Sequence, residues 1–127
     1  MNSDNSIPEF GDFPVFNQQN MERLRSQTAN KPELLKEIID SFLEESFEIV
    51  DDIKNFSENN KLEELSMSVH TLKGLTGTIG ASRLYQILSY VDAHHKQNNF
   101  KFQDSLFDVF HSNLEDLKLY FIKEGFC

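Results

Sequence analysis

Cysteine is almost absent. The single one among 127 residues, Cys127, is the last residue, so no internal disulfide can form. That usage suits a reducing compartment. No uncharged apolar run approaches the roughly 18 residues a membrane span needs. The opening MNSDNSIPEF has neither the basic start nor the apolar stretch of a secretory signal. A soluble, cytoplasmic protein without membrane association is therefore expected. Positive charge is scarce as well. Twelve Lys and Arg stand against 21 Asp and Glu, a net charge of -9, which argues against the basic face that nucleic acid demands. No segment shows strand alternation closed by hairpin turns, and there is no internal repeat or low-complexity tract.

What remains is ordinary apolar content with twelve phenylalanines, enough to exclude disorder by composition and to bury one core without staples. Residues 1–14, polar and holding Pro8, Gly11 and Pro14, read as a flexible N-terminal tail before a single domain over 15–127. Asn17 is a good N-cap for a short helix that carries Met21 and Leu24 inward. TANKP ends it, and Pro32 with Glu33 opens a long helix. There Leu35, Ile38, Ile39, Phe42, Ile49, Val50 and Ile53 recur at helical spacing to about Phe56. After SENN a third helix runs from about Leu62 to Ile79. Gly80 interrupts it, and Ser82 is placed to cap a fourth helix with Leu84, Leu88, Val91 and His95 on one face. Leu106, Phe110, Leu114, Leu117 and Phe121 mark the last. Short connections force antiparallel neighbours. The expected fold is all-α: an up-down-up-down four-helix bundle with an additional short N-terminal helix.

Within the third helix, SVHTLKGLTGTIGA places Gly74 and Gly77 four and seven residues after His70, although an interior glycine costs a helix about 1 kcal/mol relative to alanine. At 100 degrees per residue, Leu65, Leu72, Leu75 and Ile79 fall roughly opposite His70, at about 140 to 220 degrees from it. Gly74, Gly77, Ser66, Met67 and Ala81 cluster on the His70 side. The imidazole is thus expected to face solvent, with the glycines clearing a shallow landing strip beside it. Lys73, at i+3, can lean towards the ring. Between residues 60 and 101, Lys61, Lys73, Arg83, Lys96 and Lys101 outnumber Glu63, Glu64 and Asp92. That local relief of negative charge suits an anionic visitor.

HTLKGLTGTIGA resembles the signature of histidine-containing phosphotransfer (HPt) domains. His70, Leu72, Lys73, Gly74, Ile79, Gly80 and Ala81 stand at the matching positions, and the likeness extends from about Met21 to Phe121. Asp92, in SRLYQILSYVD, fills the place of an acid or amide on the next helix. Leu75 departs from the family, which usually has a small residue there, often serine. The wheel turns Leu75 to the core edge, where it packs. The resemblance implies a phosphorelay carrier. His70 would take a phosphoryl group from the phosphoaspartate of a receiver domain and pass it to another. A histidine ring, with an ordinary pKa near 6.5, offers a neutral nucleophile at cytoplasmic pH. Lys73 would offset phosphate charge, and Asp92 would accept a hydrogen bond from the other ring nitrogen. Gly74 and Gly77 would admit the receiver, while Ser66, Met67, Ala81 and Lys96 would contribute access or docking. The implied partners are response-regulator receivers and a hybrid sensor kinase, with Mg2+ on the receiver and no cofactor on this chain, which is expected to be a monomer. The Met1 start and modest length favour a free-standing carrier. The chain has no GxxxxGK[ST] and no glycine-rich kinase loop, so it is not expected to phosphorylate itself or to be an enzyme.

Two other classes compete: a helical adaptor that never carries phosphate, which the presence of His70 disfavours, and a metal-binding bundle. For the latter, His94, His95 and His111 add to His70, but no Glu-x-x-His pair occurs. The adjacent His94 and His95 point about 100 degrees apart. No metal site is expected.

Overall fold

The computed structural model describes residues 13–97 and 100–125. Its helices are α1 (Gln18–Gln27), α2 (Pro32–Glu58), α3 (Leu62–Ile79), α4 (Ser82–His94) and α5 (Asp104–Lys123). No strand occurs among the described residues.

Local signals account for half of the helix boundaries. The Asn17 side-chain oxygen accepts from Gln19 N–H at 2.9 Å and starts α1. Thr28 ends it, its hydroxyl donating back to the Leu24 carbonyl. Pro32 takes the first turn of α2, where its missing N–H costs nothing, and Glu33 faces the positive end of the helix dipole. Glu63 and Glu64 do the same for α3, which closes on Gly80 in the left-handed conformation, φ 94°, with its N–H donating to the Thr76 carbonyl. A side chain at Gly80 would also strike Asn20, 2.6 Å from the position of its Cβ.

The expected cap at Ser82 is not formed. Ser82 is the first residue of α4, Ala81 is the capping residue, and no side chain caps the helix. The chain just before α1 supplies an acceptor instead: the Arg83 N–H donates to the Pro14 carbonyl at 3.0 Å, and the Arg83 guanidinium donates to the Phe13 carbonyl. Asn17 N–H in turn donates to the Gly80 carbonyl at 2.8 Å. Of the stretch read as a tail, residues 1–12 lie outside the described residues, whereas Phe13 and Pro14 are tied to the α3–α4 corner.

The four long helices close a ring of contacts: α2 packs on α3 and α5, and α4 packs on α3 and α5, with α1 against α2 and α3. Links of three residues (59–61) and two residues (80–81) make consecutive helices antiparallel. Leu35, Ile39, Val50 and Ile53 of α2 meet Leu65, Val69 and Leu72 of α3, Leu84, Leu88 and Val91 of α4, and Phe110, Leu114, Leu117 and Phe121 of α5 in one core. Phe16 is buried against Tyr120 and Phe121, with ring centroids 5.2 Å from each, and so locks the entry to α1 onto the end of α5. Two residues of the apolar series do not go fully inside: Ile38 is 38% exposed and Ile49 is half-buried. No helix among the described residues is long and apolar enough to cross a membrane.

Candidate functional site

Burial of Val69 and Leu72 fixes the rotation of α3 and turns His70, between them, outward. Its side chain is 78% exposed. Burial of Leu88 and Val91 fixes α4 in the same way and brings Asp92 to the edge of the α3–α4 seam. The two helices deliver three groups to one point. His70 Nδ1 lies 3.7 Å from Asp92 Oδ2, and Lys73 Nζ lies 3.4 Å from the same oxygen, donating to it. Lys73 and Asp92 are 28% and 25% exposed, enough shielding for charge to matter more than it does on open surface. With Nδ1 turned to the carboxylate, Nε2 is the ring nitrogen left facing away from it, towards solvent.

The two glycines beside His70 differ. A Cβ at Gly74 would meet nothing within 4 Å, so this side of the ring is open. A Cβ at Gly77 would stand 3.0 Å from Cε1 and 3.2 Å from Cδ1 of Tyr85. The reading of Gly77 as a cleared landing place is therefore corrected in part. The residue is exposed, yet its missing side chain is what allows the Tyr85 ring of α4 to lie against α3. Ala81 is corrected outright. It is fully buried, because Gly80 leaves helical geometry and the 100-degree wheel stops there.

Met67 is 69% exposed, among the most open large apolar side chains. Ser66 is half-buried under His95, its hydroxyl 3.2 Å from His95 Nε2, while the His95 ring meets the edge of Phe102. Burial, followed by the charge of Lys96, pushes the proton affinity of His95 down, against an opposing pull from Asp92. Lys96 is exposed and stands just past the end of α4. Leu75 is half-buried against the core, as the wheel placed it.

Two grooves flank this face, and both reach Gly74. One, about 630 Å³, lies between α1, α2 and α3 and is predominantly apolar, with Leu34, Ile38, Phe42 and Leu75 in its walls and Glu37 and Glu45 among its polar members. The other, about 590 Å³, lies between α1, α3 and α4 and is lined by polar groups including Asn20, Arg23, Tyr85 and Gln86. Leu34, 42% exposed, and Ile38 were not recognised as site residues from sequence. Their signal was the doubled apolar pair Leu34-Leu35 and Ile38-Ile39, wider than the stripe a core-facing helix needs. Among the described residues, no group of three or more His, Cys, Asp or Glu side chains is arranged to hold a metal ion.

A sequence model of the Hpt domain matches residues 37–119, from the first third of α2 to near the end of α5, with His70 inside the match. The chain belongs to the Hpt domain family, helical-bundle domains that serve histidine phosphotransfer in phosphorelay signalling. No curated protein and no solved structure matches it.

Proposed function

We propose that His70 is the phosphorylated residue and that the protein carries a phosphoryl group between receiver domains. The observation that carries this reading is the exposed His70 ring, with Nδ1 facing Asp92 and the space beside Gly74 open. The Nε2 lone pair attacks the phosphorus of a receiver's phosphoaspartate. The N–P bond forms as the acyl–phosphate O–P bond breaks, and the receiver's carboxylate departs with the electron pair. Transfer onward to a second receiver is the same step reversed. Phosphoryl transfer is mainly positioning and charge neutralisation. The partner's Mg2+ and Lys73 supply the neutralisation, and this chain needs no cofactor. Lys73, one turn from His70, is held near the ring through Asp92 and can turn its ammonium to the arriving phosphoryl group.

The receiver seats on the apolar groove at Leu34 and Ile38, which is continuous with the His70 face through Thr71 and Gly74. Met67 widens the apolar contact on the same side, methionine being adaptable at binding surfaces. A hybrid sensor kinase is the expected source of the donor receiver.

Purified protein incubated with a phosphorylated receiver should acquire acid-labile, base-stable label, and His70→Gln should abolish it. Undiminished label in that variant, lost instead on replacing His94 or His111, would move the site. No label on correctly folded wild type with any receiver of its organism would favour the adaptor reading.

A further inference from the structure

The apolar groove beside His70 has two edges of unlike charge. Its α2 edge carries Glu37 and Glu45, both exposed, with Ser41 between them at helical spacing. Its α3 edge carries the uncharged hydroxyls of Thr71 and Thr78. Resting on the assignment of His70 and of the groove above, we propose that this acidic edge selects the receiver. The accepted partner lays lysine or arginine along α2, beside the apolar side chain that enters the groove, and that pairing fixes the rotation in which its phosphoaspartate meets His70.

The fold does not use these carboxylates. Nine acidic residues of α2 stand against two lysines, and neither lysine serves the groove. Lys36 is paired with Asp40 at 3.0 Å. Lys54 lies over the Phe107 ring of α5, 5.9 Å from its centroid. Among the described residues, Glu37 and Glu45 take part in no ion pair. Glu45 stands three residues before Glu48, and Glu48 four before Asp52, spacings at which like charges on a helix repel. This unpaired row costs the free helix stability, and cations brought by a partner relieve it.

The other side of His70 carries the opposite sign. Lys73 stands at the α3–α4 seam, Lys96 lies exposed just past the end of α4, and Arg23 lines the polar groove, donating to the Thr78 carbonyl at 3.1 Å. The docking face is thus polarised across α3. A receiver whose cations lie over α2 brings its phosphoryl group, with close to two negative charges, to the Lys73 side. Turned by half a rotation, it would set cations against Lys73 and the phosphoryl group against Glu45. Juxtaposed like charges of this kind disfavour both the wrong rotation and the wrong partner. A second copy of this chain suits the groove poorly, since it presents the same acidic α2 and a net charge of -9.

The test compares the full chain as wild type, as a double neutralisation (Glu37→Gln with Glu45→Gln) and as a double reversal (Glu37→Lys with Glu45→Lys). Both positions are exposed, so all three proteins should melt alike. Single-turnover transfer from each phosphorylated receiver of the organism is measured against receiver concentration, at low salt and at about 0.5 M salt, where the Debye length shrinks to about 4 Å. Rim charges act mainly on encounter. With the receiver that wild type prefers, the second-order rate at low salt should therefore fall about threefold on neutralisation and about tenfold on reversal. Both gaps should close at high salt, with the saturating rate unchanged. Carbodiimide cross-linking of wild type to that receiver should join Glu37 or Glu45 to a partner lysine, and replacing that lysine by glutamate should restore transfer to the double reversal. Equal rates for all three proteins at low salt, or a fall by the same factor at both salts, would overturn the proposal. So would a wild type that sediments as a dimer and becomes monomeric on reversal, which would give the groove to a second copy. Loading by phosphoramidate bypasses the groove and should be equal in all three. A wild type that phosphoramidate does not load at His70 would instead sink the assignment of His70, so the two failures are distinguishable.

Discussion

Replacing Gly74 and Gly77 one at a time by alanine should have different consequences for stability. Both sit inside α3 with ordinary helical backbone, so alanine gains about 0.8 to 1 kcal/mol of helix propensity at either position. At Gly74 the new methyl meets nothing, and the whole gain should be realised. With an unfolding entropy of about 2.1 cal/mol/K per residue, a chain of this size should melt about 4 °C higher. At Gly77 the methyl would be 3.0 Å from Tyr85 Cε1, too close for carbon against carbon. The ring must turn or withdraw by a few tenths of an ångström, and the contact it gives up against α3 opposes the gain. The propensity gain should be cancelled or outweighed, so Gly77→Ala should melt at or below wild type. Tyr85→Ala removes the obstacle, and in that background Gly77→Ala should recover the gain of about 1 kcal/mol. Thermal and urea unfolding of the two single variants, Tyr85→Ala and the Gly77/Tyr85 double variant, measure all of this. Equal stabilisation by both alanines would show that Tyr85 does not constrain Gly77. A destabilised Gly74→Ala would show that the space beside His70 is not open. Gly74→Leu extends the same comparison to function. It should fold as stably as wild type yet transfer phosphate at least about tenfold more slowly, if a receiver must enter over that position.

Three further outcomes are expected. Lys73→Ala should change stability by no more than about 1 kcal/mol, since its ion pair with Asp92 is partly exposed. In single-turnover assays it should slow transfer from a phosphoreceiver, with Lys73→Arg recovering part of the rate. Ile38→Asp, at a 38% exposed position in the apolar groove, should leave the melting temperature within a few degrees of wild type while weakening receiver binding about tenfold or more in titration calorimetry. His95 has a lowered proton affinity in the folded protein, so the unfolded chain binds its proton more readily. The contribution of His95 to stability is therefore complete above about pH 6.5 and declines as pH falls below it towards the folded value. The urea midpoint of wild type should drop more than that of His95→Gln between pH 7.5 and 5.5, and an equal drop would refute this.

The sequence carried the bundle because each boundary of α3 has a local chemical cause. Glu63 and Glu64 open the helix, Gly80 closes it, and the buried stripe of helical period between them is apolar except at Thr76. The same period placed His70 outward and Leu75 at the core edge, and the structure agrees on both. The errors arise where one helix was asked to report on two. A wheel drawn on α3 shows that Gly77 faces away from its own apolar stripe, but it cannot show that Tyr85 reaches across from α4 to fill that space. Nor can it be extended past a left-handed residue. Ala81 shared an angle with His70 only on paper, and the turn at Gly80 buries it. The capping oxygen for α4 comes from Pro14, nearly seventy positions earlier in the chain, a pairing that no local rule specifies.

Leu34 and Ile38 mark a different limit. Their apolar character was visible, but periodicity alone assigns every apolar residue of a stripe to the core. Only with α1 and α3 in place does the edge of the α2 stripe become the wall of a groove rather than buried packing. That edge gives the molecule two unlike halves around one histidine. On one side is an apolar seat that can hold a partner by area. On the other, Asp92 and Lys73 can meet the charge of what the partner delivers. On the proposed function, affinity and chemistry fall to separate elements, α2 for the seat and the α3–α4 seam for the phosphoryl group. Substitutions in α2 should change how tightly a receiver binds with little effect on the decay of a loaded His70. Substitutions at Asp92 should change that decay with little effect on binding of an unphosphorylated receiver. A variant of Ile38 that altered the decay of a loaded His70 would break this separation, because it would couple the groove to the ring it adjoins.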